Sequence, residues 1–220
     1  MMITLSAMFV TSTNVNILSN SIKEQQKMSG EDSSEEDDTS EEDASEGGED
    51  EYRLNNVCFL HNLEDLQLWC SSQNTSIIRH VSFPRSLKKL TLRNTYLRWE
   101  DMKTKIGSLP VLQVLKLKKN SFIGSKWKTF EEQFLNLKLL LIEDCDVERW
   151  ITHDAHFPRL EHLHLRYAER LREIPLCMGD ISTLQTIMLE DCSNAVMDSA
   201  QKIKDEQQEC GNEDLQISVA

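Results

Sequence analysis

The sequence predicts an α/β fold in which short parallel strands stack into one curved sheet, and three observations lead to it. The segment "LPVLQVLKLKKN", residues 109–120, contains the pattern L-x-x-L-x-L-x-x-N. Five further segments match this pattern, so its first apolar position recurs every 23 to 25 residues, at Leu63, Leu87, Leu112, Leu137, Leu160 and Leu184. Within each segment apolar residues alternate with other residues, which places the apolar side chains on one face of a strand.

The period lies within the range of roughly 20–29 residues that is typical of leucine-rich repeats. A single strand cannot cover its own apolar face, whereas a parallel strand from the next repeat pairs its backbone and covers its leucines. We therefore predict a leucine-rich-repeat solenoid over residues 52–192, with about six short strands and an irregular convex side. At the ninth position of the pattern, we expect Asn120 to bond backbone groups of neighbouring coils and interpret Cys145 and Cys192 as structural.

The segments between the strands are predicted to be loops and short 3-10 turns. Pro110 and Pro175 fall there, and proline cannot donate a hydrogen bond to a strand ladder. Trp99, Trp127 and Trp150 also fall in these segments, and we expect them to pack behind the strands.

The pattern changes after the last repeat, where a helix is predicted. Ser193 or Asn194 can cap this helix, and Gly211 can end it. Its predicted apolar stripe consists of Ala195, Val196, Ala200 and Ile203. Because the opposite face is charged, we interpret residues 193–220 as a C-terminal cap over the last repeat.

The N-terminal quarter has a different composition. Residues 1–30 are predicted to be poorly ordered, and residues 31–51 form an acidic segment with 13 Asp and Glu, no Lys or Arg, and almost no apolar residue. Such a segment cannot bury enough surface to fold, so we predict that it is disordered. The rest of the chain has 24 acidic and 24 basic residues, since 37 − 13 = 24, so the net charge of −13 belongs to this segment.

The repeats resemble the leucine-rich region of plant disease resistance proteins of the coiled-coil/nucleotide-binding/leucine-rich-repeat type, and most closely the late blight resistance protein family of nightshade plants. The resemblance is carried by "FPRSLKKLTLRNTYLRWEDMKTKIGSLPVLQVLKLKKNSFIGSKW", "FPRLEHLHLRYAERLREIP" and "SAQKIKDEQQECGNEDLQISV". It implies a role in the defence response. The ATP/ADP-binding module of that family is not recognisable, since the sequence has no G-x-x-x-x-G-K-[ST] phosphate loop. No cofactor is predicted.

The residues between the strand leucines are expected to point into the concave face of the solenoid. Lys89, Arg93, Lys116, Lys118 and Lys119 form a basic block there. An acidic block follows in the later repeats, with Glu143, Asp144, Glu190 and Asp191. Trp69, Leu141 and Tyr167 are predicted to be exposed anchors for a partner. The predicted partner-binding residues are Trp69, Lys89, Arg93, Lys116, Lys118, Lys119, Leu141, Glu143, His164, Arg166, Tyr167 and Glu190. The alternative is an ordinary solvated sheet face.

Other kinds of chemistry find little support. His162 and His164 could supply half of a zinc site, but a third and fourth ligand are not evident, so no metal is predicted. No catalytic motif occurs, and we expect no enzyme activity. Five cations on an otherwise neutral domain do not indicate a nucleic-acid partner. The six cysteines form no C-x-x-C pair and no stretch is long and apolar enough to span a membrane, which favours a cytoplasmic protein, with peripheral membrane association left open.

The predicted function is therefore protein recognition in plant defence. The partner would be a pathogen effector, a host protein that the receptor guards, or the nucleotide-binding switch domain of a receptor. Two alternatives remain: a truncated paralogue or decoy that does not signal, and an adaptor that selects substrates through its repeats but has no visible F-box. The oligomeric state is not predicted.

Overall fold

The computed structural model of the chain describes residues 3–10, 54–70, 81–212 and 214–220. The acidic segment, for which the sequence predicts disorder, lies outside these residues, as does most of the segment 1–30. The domain boundaries given above therefore remain predictions.

The described elements are mostly short strands. In chain order they are β1 (Ile3–Val10), β2 (Leu63–Cys70), β3 (Lys89–Arg93), β4 (Leu97–Arg98), β5 (Val114–Lys118), β6 (Phe122–Ile123), β7 (Lys126–Lys128), β8 (Leu139–Glu143), β9 (Arg149–Ile151), β10 (His162–Arg166), β11 (Thr186–Glu190) and β12 (Gln216–Val219). The α-helix among these residues, α1, spans Asn194–Glu209. Short 3-10 helices lie at Leu54–Phe59, Trp99–Asp101, Asp154–His156 and Leu176–Met178, and a short π-helix lies at Lys103–Gly107.

Eight of the strands form one sheet in the order β1-β2-β3-β5-β8-β10-β11-β12, and all neighbours are parallel. Strands β4 and β6 pair separately, as do β7 and β9. The predicted α/β class with a parallel sheet and a C-terminal helix is confirmed. Strands β1 and β12 extend the sheet beyond the six predicted strands; β1 even lies within the segment predicted to be poorly ordered. The sequence missed both because neither carries the full leucine pattern.

The apolar positions of the pattern form the core. All three leading apolar residues of each of the six segments are buried, from Leu63, Leu66 and Leu68 in the first to Leu184, Ile187 and Leu189 in the last. Each such side chain contributes about 1.5–3 kcal/mol relative to exposure, before conformational entropy is subtracted. The apolar face of each strand is therefore covered as the repeat pattern predicts.

The strands of consecutive repeats end in the same way. The residue that follows each of β3, β5, β8, β10 and β11 has a left-handed backbone, at Asn94, Lys119, Asp144, Tyr167 and Asp191, with φ between 36° and 53°. The N–H of Lys119 donates to the Glu143 carbonyl (2.8 Å), and that of Asp144 donates to the Arg166 carbonyl (3.0 Å). Asn and Asp tolerate this conformation better than other residues. This turn ends the five strands β3, β5, β8, β10 and β11 at equivalent positions, so the residues that follow them form a row along the sheet.

The predicted packing of the three tryptophans behind the strands is confirmed. Trp127 is fully buried and stacks on Trp99 with ring centroids 5.0 Å apart and on Trp150 with centroids 4.9 Å apart. Phe134 and Phe157 meet the Trp127 ring edge-on. The stack belongs to the same core as the strand leucines and links three consecutive repeats on the outer side.

The predicted helix forms with the predicted caps. The Ser193 hydroxyl accepts a hydrogen bond from the Val196 N–H (3.4 Å), and Gly211 adopts a positive φ of 81° just beyond the helix. The N–H of Gly211 donates to the Gln208 carbonyl (3.0 Å) and that of Asn212 to the Gln207 carbonyl (2.8 Å), which is the hydrogen-bond pair of a Schellman motif.

The predicted apolar stripe of the helix needs one correction. Val196, Ala200 and Ile203 are buried as predicted, but Ala195 is exposed. It lies on the first turn one residue before Val196, about 100° away around the helix axis. The chain then returns to the sheet as β12, so the segment 193–220 adds both a helix and a strand to the last repeat.

Candidate partner-binding face

The face of the sheet opposite the buried leucines, which we call the polar face, carries side chains in straight columns. Residues of neighbouring strands align in register, so that Gln67, Thr91, Lys116, Leu141, His164 and Met188 form a central column. A second column contains Trp69, Arg93, Lys118, Glu143, Arg166 and Glu190. These are the columns that the repeat spacing predicts. Partner binding by these residues stays a prediction.

The second column is a ladder of ion pairs. Glu143 Oε2 lies 3.3 Å from Lys118 Nζ and 3.7 Å from Arg166 Nη1. Arg166 Nη2 donates to Glu190 Oε1 at 2.6 Å. This hydrogen bond lowers the pKa of Glu190 and raises the pKa of Arg166. The Glu143 side chain is only 9% exposed, so its charge faces two cations rather than water.

The predicted separation into a basic and an acidic block needs a correction, because ion pairs join Lys118 of the basic block to Glu143 of the acidic block and Arg166 to Glu190. Glu143 and Glu190 are neutralised by Lys118 and Arg166, which lie on the neighbouring strands. Only Asp144 and Asp191 remain as exposed carboxylates, in the row at the strand ends. The charge of the polar face consequently changes along the sheet, from Lys89 on β3 and Lys116 on β5, which have no ion-pair partner among the described residues, to the paired charges of Lys118, Glu143, Arg166 and Glu190.

The predicted anchors differ in exposure. Tyr167 is 43% exposed and Trp69 is partly exposed, with the Arg93 guanidinium 5.8 Å from its ring centroid. Leu141 is only 7% exposed, so its assignment as an exposed anchor is wrong. Its register neighbours Lys116 and His164 have longer side chains that stand on either side of it. Tyr167 and Trp69 remain as candidate anchors.

The histidines lie in two separate pairs. His162 and His164 share the polar face with ring centroids 6.4 Å apart, and His162 Nδ1 lies 2.9 Å from the Thr186 hydroxyl. Burial, together with the neighbouring cations, lowers the pKa of His164. His153 and His156 lie in the outer segment with centroids 6.0 Å apart. In the part of the chain that the structure describes, no group of three or more His, Cys, Asp or Glu is positioned to hold a metal ion.

Cys145 and Cys192 lie where the turn closes after β8 and β11. Cys192 Sγ donates to the Leu165 carbonyl (3.3 Å) and to the Glu190 carbonyl (3.5 Å). Cys145 Sγ lies 3.5 Å from the Ser121 hydroxyl and is buried. Both thus have the structural role predicted for them. Asn120, at the same position after β5, makes its bonds to the next coil through its backbone N–H.

We expect Cys145 to resist alkylation in the folded chain at pH 8. Burial raises the pKa of the Cys145 thiol to about 11, so the reactive thiolate is scarce as well as inaccessible. Iodoacetamide labelling followed by mass spectrometry should modify exposed Cys210 at least about a hundredfold faster than Cys145. In urea the two rates should converge, and similar rates in the folded chain would contradict the buried position.

Several charged residues next to the predicted site were not found from the sequence. Arg170 pairs with Asp146 (2.9 Å) and Arg172 with Glu148 (3.4 Å). Asp146 and Arg170 line a polar groove beside Tyr167, just beyond the strand ends. The sequence does contain an indication of these ion pairs, because the two residues of each pair are 24 residues apart, which is one repeat.

Comparison with known proteins identifies relatives. Several late blight resistance protein homologs of Solanum demissum match this chain over 148 residues, or 67% of its length; one of them is 39% identical and another is 36% identical. The predicted family resemblance is confirmed. The matched region covers 12% of the former homolog, 11% of the latter and 19% of a third, so the chain spans less than a fifth of the length of these relatives.

The chain is thus similar to one region of these disease resistance proteins. No protein-family model matches it. Within the described ranges no helix has the length and apolarity needed to cross a membrane.

Proposed function

We propose that this chain is a leucine-rich-repeat recognition region of a plant disease resistance protein and that its polar face binds a protein partner. The partner is a pathogen effector, a guarded host protein or the nucleotide-binding domain of a receptor. The chain acts in the cytoplasm by binding rather than by catalysis.

The register of the polar face carries this proposal. Side chains of consecutive repeats stand side by side on strands whose opposite face is sealed by buried leucines. A surface built on such a rigid core loses little conformational entropy when a partner binds. The resistance-protein relatives support the biological setting, since they are named as homologs of late blight resistance proteins.

The unpaired cations favour one half of the face as the first contact. Lys89 and Lys119 are exposed and Lys116 is partly exposed, and none of the three has an ion-pair partner among the described residues. Charged groups of this kind accelerate association with an oppositely charged partner and make it sensitive to salt. Tyr167 and Trp69 add aromatic surface, which is enriched at binding hot spots.

The test is a charge reversal with a matched control. We expect the triple variant Lys89→Glu, Lys116→Glu and Lys119→Glu to bind its partner at least about tenfold more weakly, which is about 1.4 kcal/mol. The control reverses three other surface lysines, Lys126→Glu, Lys128→Glu and Lys202→Glu, with the same change in net charge. Binding is measured against a panel of purified late blight effectors and receptor nucleotide-binding domains, at two salt concentrations.

The outcomes separate the candidate roles. Equal loss of binding in both variants would place the interface elsewhere. Binding without cell death in leaf tissue, even when a receptor is co-expressed, would favour a decoy. Absence of binding to every member of both protein classes would contradict the proposed recognition role.

A further inference from the structure

The polar face has an uncompensated positive half. Every Arg or Lys of the second column from β5 onward has a carboxylate partner, whereas Lys89, Lys116 and Lys119 have none among the described residues. Asp65 is in register with Lys89, and Asp144 follows Lys119 in the row at the strand ends, but neither forms an ion pair with these lysines. Arg93 adds a fourth cation over the Trp69 ring.

The chain itself contains a segment of matching chemistry. The acidic segment, residues 31–51, has 13 carboxylates and no cation, and it contains two glycines and five Ser or Thr but only one alanine as an apolar side chain. Outside this segment the charges of the chain balance at 24 to 24. The acidic segment and the cations at Lys89, Lys116 and Lys119 therefore have opposite charge.

We propose that the acidic segment, residues 31–51, binds in cis to the positive half of the polar face, at Lys89, Arg93, Lys116 and Lys119. It then occupies the surface that a protein partner would use, and a partner must displace it. The contact is electrostatic and has no fixed register, because the carboxylates outnumber the cations and are distributed along the whole segment.

The length of the chain permits this contact. The segment ends at residue 51, three residues before the 3-10 helix Leu54–Phe59 that leads into β2. Strands β2 and β5 are two positions apart in the sheet, which is about 10 Å at 4.7–4.9 Å per strand. An extended segment of 21 residues reaches about 70 Å, so its carboxylates can reach the cations of β3 and β5.

The covalent tether favours binding in cis over binding by a second chain. A short covalent connection corresponds to an effective concentration in the millimolar range, well above ordinary protein concentrations. Even a weak electrostatic contact is then largely formed at low ionic strength. At about 1 M salt the Debye length falls to about 3 Å, and the contact should be lost.

Carbodiimide crosslinking of the full chain tests the contact, since this reagent joins a lysine amine to a carboxylate only when the two touch. At low ionic strength, mass spectrometry should find residues 31–51 joined to Lys89, Lys116 and Lys119 at least about tenfold more often than to Lys126, Lys128 and Lys202. Salt near 1 M should abolish the difference. A variant with all 13 carboxylates of the segment changed to their amides should show no such crosslinks.

Other occupants give distinct results. Equal crosslinking to both sets of lysines would overturn the proposal, and so would crosslinks that form only between isotopically heavy and light chains in a mixture, which would identify a second copy as the occupant. The inference rests on the proposed function only in treating the polar face as a binding surface. Because crosslinking requires no partner, its failure is distinguishable from a failure of partner binding. If the contact forms, the amide variant should bind a partner at least about threefold more tightly than the natural chain at low salt.

Discussion

Replacing Trp127 with alanine is expected to lower the free energy of unfolding by about 3–5 kcal/mol. Trp127 is fully buried and lies between Trp99 and Trp150, with Phe134 and Phe157 against its edge. Alanine at this position leaves a cavity between three consecutive repeats, because stacked rings on both sides limit collapse into the space. Urea titration followed by far-UV circular dichroism measures the change without depending on tryptophan fluorescence.

The conservative variant Trp127→Phe is expected to cost much less than Trp127→Ala. Phenylalanine keeps most of the stacking surface, and it also removes an indole N–H that is buried without a hydrogen-bond partner among the described residues. An unpaired buried donor is itself unfavourable, so part of the lost packing is offset. Leu135→Ala is the matched control, since Leu135 is 48% exposed and should change stability by less than about 0.5 kcal/mol. A loss below about 1 kcal/mol for Trp127→Ala would show that the aromatic stack is not part of the stabilising core.

The sequence predicted the structure best where the same residue type recurs in every repeat because it has to be buried. Leucines such as Leu90 and Leu115 have to be buried in every repeat, so their period predicts the strands, the parallel order and the register of the outward side chains. The helix α1 was equally predictable, because Ser193 and Gly211 are residue types that cap helices for local reasons.

The leucine period did not predict the edge strands or which side chains of the polar face are exposed. Strand β12 has only part of the leucine pattern, so its own sequence gives a weak indication of a strand. It forms because its backbone pairs with β11. Leu141 was predicted to be exposed because its position points away from the core. Its exposure is set by residues of neighbouring strands, where its register partners Lys116 and His164 come from other repeats.

The ion pairs are an intermediate case. They join residues one repeat apart, as in Glu64 with Lys88 (2.8 Å) and Lys138 with Glu161 (2.7 Å), so opposite charges at that spacing were visible in the sequence. Whether charged residues form a patch depends on the residues at the same position in the repeats before and after. Opposite charges at that position form ion pairs instead of a patch. Applied to Glu143, this comparison predicts a paired carboxylate with a cation on each side.

Reversing that carboxylate with Glu143→Lys is expected to lower the free energy of unfolding by about 3 kcal/mol, near the lower end of the effect of breaking a buried ion pair. Lysine at this position places a third cation between Lys118 and Arg166, at a site where the native side chain is 9% exposed. Partial exposure of Lys118 and Arg166 to water limits the loss. Glu131→Lys is the matched control, because Glu131 is exposed and the same charge change there should cost less than about 0.5 kcal/mol.

The double variant Lys118→Glu with Glu143→Lys distinguishes loss of the ladder from loss of packing. Exchanging the two charges restores the pair between β5 and β8, so stability should recover in part. Recovery should remain incomplete, because residue 143 would then present a cation to Arg166, whose remaining carboxylate partner is Glu190. Full recovery of the free energy of unfolding would mean that the ion pair between Arg166 and Glu143 does not stabilise the chain. No recovery would mean that the shape of the glutamate side chain, rather than its charge, stabilises the column. Partial recovery would show that the Glu143 carboxylate stabilises the column through both cations, Lys118 on β5 and Arg166 on β10.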